Sequence, residues 1–368
     1  MGRTREVAAR LLLAAAAALG TLLAVEAAFR LLGISPERYL MTARLANARW
    51  TLLLDCYPTN PRGYFDLDLR LPASRERYFA VAPLRYDAVA RRAPWAVEFR
   101  YNALRFRDAP LGPKPPGVRR VMVLGDSFAE GQGVKEPDTL AKVLERLLDE
   151  GEPGRWEVRN CGRRGEDFPA LYEAFLALLP HEPDLVVYAL TLNDAERTPE
   201  FQARQSYLND WIVDRARQFE DEGLVETDPL GSRLLGFVKD RVQAVRVGRR
   251  TTRWYREMWD EANRAGRDRT FAHLREMDRL LRERRARLLV APWPLFVGLE
   301  RGYPFEAVHD RIARFCLGAG IAHHDLLPAF RGRPGEELWV HPVDHHPNER
   351  AHLRAAQALA PVVERLLR

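Results

Sequence analysis

The chain has 368 residues, of which 46% are hydrophobic and 29% charged, so it can bury a sizeable core and is neither disordered nor fibrous. Its net charge of +6 comes mainly from arginines that are interspersed with acidic residues. This pattern, without a nucleic-acid-binding motif, argues against a nucleic-acid partner. The cysteines, Cys56, Cys161 and Cys316, are too few and too scattered for a disulfide framework and match no zinc pattern.

The amino-terminal residues predict a membrane anchor. A basic tail over residues 1–10 precedes an apolar stretch over 11–32, which is barely long enough to cross a bilayer as a helix. The positive flank predicts a cytoplasmic tail, with the rest of the chain on the periplasmic or extracellular side of the inner membrane. A cleaved signal peptide remains the alternative, because residues 25–27 approximate a cleavage site, although Glu26 is awkward there. A buried core helix is less consistent with a surface that is apolar all round.

After an irregular extension over residues 33–117, strands and helices alternate. Apolar runs of strand length occur at 121–124, 156–158, 185–190, 288–291 and near Ile321, with helical patterns at 140–148, 171–178, 305–317 and from Asn348. This alternation predicts an α/β fold over residues 118–368, a three-layer α/β/α sandwich with a mainly parallel sheet.

One charged segment at about 198–285 interrupts this alternation. Its period is helical, it has no strand signal, and Trp211, Trp254, Tyr255 and Trp259 look exposed. We interpret it as a helical insertion over the sheet edge. A solvated bundle without a functional role fits equally well, because helical periodicity does not separate the two.

Gly125-Asp126-Ser127 places a serine just after the first strand and at the start of a helix. Ligands of open parallel sheets bind at the carboxyl ends of strands, and a helix amino terminus favours developing negative charge. Ser127 is therefore a candidate nucleophile. Asp and Ser are also ordinary helix caps, and we expect Asp126 to face away from the reaction.

A second candidate group precedes the last helix. In an extended segment Asp344 and His346 point to the same side and His345 to the other. The carboxylate can then orient an imidazole that takes the serine proton. Two alternatives stay open: Asp344 as a turn or cap residue, and a metal site formed by His341, Asp344, His345, His346 and His352, although a metal motif's spacing is absent.

Four segments together resemble the conserved blocks of the SGNH/GDSL hydrolases. Residues 125–128 look like the first block and 344–348 like the last, while 160–165 and 192–194 resemble the second and third. The resemblance implies a flavodoxin-like SGNH fold, a triad of Ser127, His346 and Asp344, an oxyanion hole formed by Ser127, Gly165 and Asn193, and no cofactor or metal. It departs from the family at Thr191, where a glycine is usual. Taken alone, Gly165 could serve a turn and Asn193 a cap.

These features predict an exported, membrane-anchored serine esterase that cleaves carboxylic esters through an acyl-enzyme. The substrate class stays open between lipid and acylated polysaccharide, and the sequence indicates no oligomeric state. Alternatives are an O-acetyltransferase or deacetylase of envelope polysaccharide, a non-catalytic glycan- or protein-binding module, and a metal-dependent phosphoesterase.

Overall fold

The computed structural model describes residues 2–32, 99–203, 231–341 and 344–368. Its helices are α1 Gly2–Leu31, α2 Ser127–Glu130, α3 Leu140–Asp149, α4 Phe168–Leu178, α5 Pro199–Ala203, α6 Arg233–Met258, α7 Arg264–Glu283, α8 Glu306–Ala319, α9 Leu327–Phe330 and α10 Glu349–Leu367. Short 3-10 helices lie at Glu136–Asp138, Leu179–His181, Glu261–Asn263 and Gly335–Glu337.

The strands are β1 Arg119–Gly125, β2 Trp156–Gly162, β3 Leu185–Ala189, β4 Arg287–Val290, β5 Ala322–His323, β6 Trp339–His341 and β7 Asp344–Pro347. The first five form one sheet in the order β2-β1-β3-β4-β5, and all its neighbours are parallel. Strands β6 and β7 form a separate antiparallel pair. The predicted α/β fold with a mainly parallel sheet and flanking helices is confirmed.

The chain divides into two compact units. The helical unit consists of Met1–Trp50 and Leu208–Thr251, and the α/β unit of Thr51–Tyr207 and Thr252–Arg368. In the helical unit, Arg5–Leu31 of α1 has a mean hydropathy of 2.0 and is long enough to cross a membrane. A signal sequence would have the same length and composition.

The core of the α/β unit lies on both faces of the sheet. The central strand residues 121–124 and 185–189 are fully buried, as expected for parallel strands that helices cover on both sides. Helices α3 and α10 pack against each other. Each buries one apolar face, which includes Leu144 of α3 and Leu359 of α10, so the amphipathic pattern fixes which side of each helix meets the core.

The sequence suggested that the aromatic residues of the insertion are exposed, but in the structure those described are buried or half-buried. Trp254 and Trp259 are only 7% and 1% exposed, and Tyr255 packs against the hydrophobic core. The Trp259 indole N–H donates to the carbonyl oxygen of Leu192 at 2.7 Å. The prediction of exposure was wrong because these residues pack inward, with Trp254 stacked on Phe201 and Trp259 hydrogen-bonded to the loop that follows β3. Trp211 lies outside the described residues.

Candidate active site

The chain reverses direction across the sheet between β1 and β3. It leaves β1 for the edge strand β2 and then returns to β3 on the other side of β1. The loops after β1 and β3 therefore diverge, and such a switch point opens a crevice at the carboxyl ends of the strands. Ser127 follows β1 and Asn193 follows β3, so the topology places both at this crevice.

Ser127 and His346 come together in the structure. The His346 Nε2 atom lies 2.9 Å from the Ser127 Oγ atom, a normal hydrogen-bond distance, although the two residues are far apart in the sequence. Ser127 is the first residue of α2 and is only 8% exposed. The Phe128 ring lies 5.5 Å from the His346 ring and packs against its side.

The segment that carries His346 is extended. Asp344 and His346 both lie in β7, while the His345 ring between them stacks on Trp339 at a centroid distance of 3.8 Å. The alternation along a strand thus separates His345 from His346. The side chains of Asp344 and His341 lie outside the described part of the structure, so the predicted contact between Asp344 and His346 stays a prediction.

Asp126 faces into the crevice, which corrects the expectation that it faces away. Its carboxylate accepts hydrogen bonds from the Asn193 side-chain amide at 3.0 Å and from the Thr191 hydroxyl at 2.8 Å. It also caps α2 by accepting the Phe128 amide at 2.9 Å. Asp126 is 1% exposed, and it links the loop after β1 to the loop after β3.

The sequence missed this role because it predicts only the cap. The unusual Thr191 was a usable signal, since a buried hydroxyl in a site needs a partner. Next to it, Asp194 accepts the Tyr188 hydroxyl at 2.8 Å and the Thr191 amide at 2.9 Å. Burial raises the pKa of the Asp194 carboxyl. The loop after β3 is therefore held by two carboxyl groups, one from Asp126 and one from its own Asp194.

The loop after β2 packs directly against α2. A Cβ atom at Gly162 would lie 2.1 Å from the Glu130 backbone nitrogen, so only glycine allows this approach. Gly165 has a φ of 75° and forms the turn that follows. Among the described residues, the backbone amides of Ser127 and Gly165 donate to no acceptor.

Hydrogen bonds from the Arg164 side chain fix this loop to α2. The Arg164 Nε atom donates to Glu130 Oε2 at 2.6 Å, and its Nη2 atom donates to the Tyr101 hydroxyl at 2.8 Å. Glu130 is 1% exposed. Burial raises the pKa of the Glu130 carboxyl to about 7, against the opposing effects of the Tyr101 hydrogen bond and the Arg107 charge.

Glu130 should make stability depend on pH. The unfolded carboxyl loses its proton near the ordinary value of 4.5 and the folded one near 7, so the folded state binds the proton more tightly. We expect the free energy of unfolding to fall by on the order of 3 kcal/mol as pH rises through that window. Glu130→Gln should flatten this slope in denaturant titrations of the detergent-purified chain. Glu150→Gln, at an exposed carboxyl, should keep it; an unchanged slope in Glu130→Gln contradicts the prediction.

Another histidine of the hypothetical metal cluster has a different role. The His352 Nδ1 atom accepts the Leu140 amide at 3.1 Å, and burial lowers the pKa of this imidazole to about 3. Its described contacts hold α10 to the start of α3. Within the described residues, His, Cys, Asp and Glu form no group of three or more that would hold a metal ion.

Comparison with known proteins gives one family. The sequence model of the GDSL-like lipase/acylhydrolase family matches residues 123–354, more than half of the chain. No curated protein matches the sequence.

Solved structures with a similar fold include the following three proteins. One called TesA is 16% identical, with 67% of this chain and 99% of that chain covered and a TM-score of 0.42. A catalytic mutant of an acetylxylan esterase from Geobacillus stearothermophilus is 13% identical, with 66% and 93% covered and a TM-score of 0.40. A psychrotrophic esterase from Pseudoalteromonas is 12% identical, with 68% and 98% covered and a TM-score of 0.40. Similarities at this level carry no information on the substrate of this chain.

Proposed function

Since the chain belongs to the GDSL-like lipase/acylhydrolase family, as its four sequence blocks predicted, we propose that it cleaves carboxylic esters through an acyl-enzyme on Ser127. Family membership makes the chain an ester-bond hydrolase. The observation that carries the proposed mechanism is the 2.9 Å contact between His346 Nε2 and Ser127 Oγ. A serine hydroxyl becomes a nucleophile when an adjacent base accepts its proton.

In the first half of the reaction, Ser127 Oγ attacks the ester carbonyl while its proton passes to His346. The tetrahedral intermediate collapses, the carbonyl carbon loses the alkoxy group, and His346 returns the proton to the leaving alcohol. In the second half, His346 takes a proton from water while the water oxygen attacks the acyl-enzyme carbonyl. The second tetrahedral intermediate collapses, the bond from the carbonyl carbon to Ser127 Oγ breaks, and His346 returns the proton to Oγ, which releases the acid and free Ser127. Asp344 is assigned to orient the imidazole and stabilise its charged form.

Three donors are assigned to the oxyanion. The Ser127 amide is an unsatisfied N–H at the start of α2, and the Gly165 amide likewise has no acceptor among the described residues, so both can donate to a bound ligand. The Asn193 amide gives one N–H to Asp126, which leaves the other for the oxyanion. Asp126 and Thr191 thus act as positioning residues.

Replacing Asn193 should lower turnover without preventing acylation. We expect Asn193→Ala to reduce kcat about 100- to 1000-fold, as for one oxyanion donor. Thr191→Val removes one hydrogen bond to Asp126 and should cost about 10-fold or less. Thr191→Ser keeps the hydroxyl and should restore activity. Steady-state kinetics with 4-nitrophenyl acetate measure all three, and equal activity of Asn193→Ala and the parent would remove Asn193 from the oxyanion hole.

Esterase activity itself is tested with 4-nitrophenyl esters of increasing acyl length and with a fluorophosphonate probe. The detergent-purified chain should hydrolyse the esters and become labelled at Ser127. Adding candidate glycans distinguishes hydrolysis from acyl transfer, because transfer would move the acyl group to the glycan. Absence of both ester turnover and labelling would overturn the proposed function.

We further propose that α1 is retained as a single-pass inner-membrane anchor and that the α/β unit is exported. Glu26 near the end of α1 accepts hydrogen bonds from the Ser232 hydroxyl at 2.9 Å and from the Arg233 and Leu234 amides at 3.0 and 2.9 Å. These amides begin α6, so Glu26 supplies the cap that its amino terminus needs. Cleavage after Ala27 would remove this cap.

Retention can be measured directly on the exported protein. A chain with an amino-terminal epitope should keep the epitope, have the mass of the full sequence, and resist extraction by alkaline carbonate. An exported protein that begins near Ala27 or Ala28 would replace the anchor with a signal peptide and leave the esterase proposal intact.

A further inference from the structure

A cavity of about 440 Å³ lies between α10 and the loop that precedes β6. Three arginines line it, Arg333 from the loop and Arg350 and Arg354 from α10, together with Glu337 and two leucines, Leu338 and Leu353. We call it the arginine cavity. Three positive charges therefore surround a space that offers one carboxylate and a small apolar surface.

The three guanidinium groups have no protein partner among the described residues. This sets them apart from arginines nearby: Arg331, two residues before Arg333, pairs with Glu306 at 2.5 Å. A guanidinium presents several N–H donors in a planar fork that matches carboxylate and phosphate oxygens. Unpaired groups of this kind around one cavity are complementary to an anion.

Helix stability does not account for the two arginines on α10. Arg350 is the second residue of the helix, where a positive charge opposes the helix dipole. Arg350 and Arg354 are four residues apart and repel each other, because like charges at this spacing face the same side of a helix. A sequence that breaks two local rules at one place commonly does so for function.

The arginine cavity is connected to the catalytic strand through Asn348. The Asn348 side chain accepts the Arg350 and Ala351 amides and donates to the carbonyl oxygens of Glu337 and Trp339. It therefore ties both walls of the cavity together just after His346. Arg350 is four positions after His346 in the chain, so their Cα atoms lie within about 14 Å of each other.

Resting on the proposed esterase function, we propose that the arginine cavity binds an anionic group of the ester substrate, a carboxylate, sulfate or phosphate. The substrate is then an acylated acidic molecule, whose ester lies at Ser127 while its charge lies against Arg333, Arg350 and Arg354. Leu353, which is 40% exposed, offers apolar contact to the part of the molecule that bears the charge. Acidic saccharides and phospholipid headgroups are the two sources of such a group.

The test compares the parent with Arg350→Gln/Arg354→Gln in the full chain. Its substrates are 4-nitrophenyl acetate, an acetylated neutral xylo-oligosaccharide, an acetylated oligogalacturonate, and a short-chain phosphatidylglycerol. We expect KM for an anionic substrate to rise about 10-fold or more, with kcat unchanged and neither neutral substrate affected. The matched control, Arg301→Gln/Arg314→Gln, changes two exposed arginines elsewhere in the α/β unit and should leave every KM unchanged.

The outcomes separate the sources and the proposals. If KM rises for oligogalacturonate alone, the anionic group comes from an acidic saccharide. If KM rises for phosphatidylglycerol alone, the group is a lipid headgroup. Equal KM values in variant and parent for both anionic substrates overturn the anion site, as does an equal loss on the neutral substrates. A second variant, Arg350→Lys/Arg354→Lys, should recover part of the affinity because it keeps the charge. Full activity on 4-nitrophenyl acetate throughout shows that a failure here is not a failure of the esterase assignment.

Discussion

Ser127→Ala should abolish ester hydrolysis, with kcat reduced about 10⁴-fold or more. The Oγ atom is the group that forms the acyl-enzyme in the proposed mechanism, and it lies 2.9 Å from the His346 Nε2 atom that takes its proton. What remains should be the modest rate increase that binding and oxyanion donors give without a nucleophile. Initial rates on 4-nitrophenyl acetate, measured over a concentration range that covers KM, give the loss.

Labelling provides an independent readout of the same prediction. The fluorophosphonate probe should label the parent and leave Ser127→Ala unlabelled. Ser232→Ala, a change at a serine of the helical unit, should keep both labelling and turnover. If Ser127→Ala hydrolysed the ester at the parent's rate, the nucleophile would have to be another residue.

The positions of the candidate catalytic groups along the chain were partly predictable because the sheet topology determines where loops meet. Buried strands have continuous apolar runs, and the residues directly after them lie at one edge of a parallel sheet. Ser127 was a candidate from the residues alone because it follows β1, whereas Asn193 after β3 was identified through the family resemblance. His346 and Asp344 were candidates from their spacing in an extended segment, although β7 belongs to a separate two-stranded pair.

The connection from Asp126 to the loop after β3 could not be predicted from local sequence. An aspartate before a helix predicts a cap, and Asp126 does cap α2. Its second role depends on how closely β1 and β3 bring two loops together, which is a tertiary property. The hydroxyl of Thr191 that completes this contact is visible in the sequence only as a departure from the family pattern.

The first described residues of the α/β unit show the same limit. Residues 99–109 belong to an irregular segment without periodicity, and nothing in them predicts burial. In the structure Arg107 is fully buried and donates to the backbone carbonyls of Gly131 and Val134 at 2.7 Å each. Asp108 accepts the Asn160 amide at 2.7 Å. These long-range contacts hold the loop after α2 and strand β2, and only the assembled fold displays them.

His346→Ala should lower kcat about as much as Ser127→Ala does. Proton transfer needs both groups, so it fails when either the nucleophile or its base is absent. The double variant should be no slower than either single one, since residues that act as a unit have strongly non-additive effects. Asp344→Asn should cost less, about 10²- to 10⁴-fold, because it removes the group that orients the imidazole and leaves nucleophile and base in place. Rates of the four variants on one ester, with circular dichroism to check folding, measure this pattern.

The pattern distinguishes a triad from the metal alternative at the same residues. In a triad, EDTA leaves the parent's rate unchanged, and the losses from Ser127→Ala and His346→Ala do not multiply. In a metal site the histidine variant loses a ligand, EDTA inhibits the parent, and added divalent ions restore it. The 2.9 Å contact between His346 Nε2 and Ser127 Oγ favours the triad, because a general base must lie within hydrogen-bond reach of the hydroxyl whose proton it takes. Multiplicative losses together with inhibition by EDTA would assign His346 to a metal and leave Ser127 without its base.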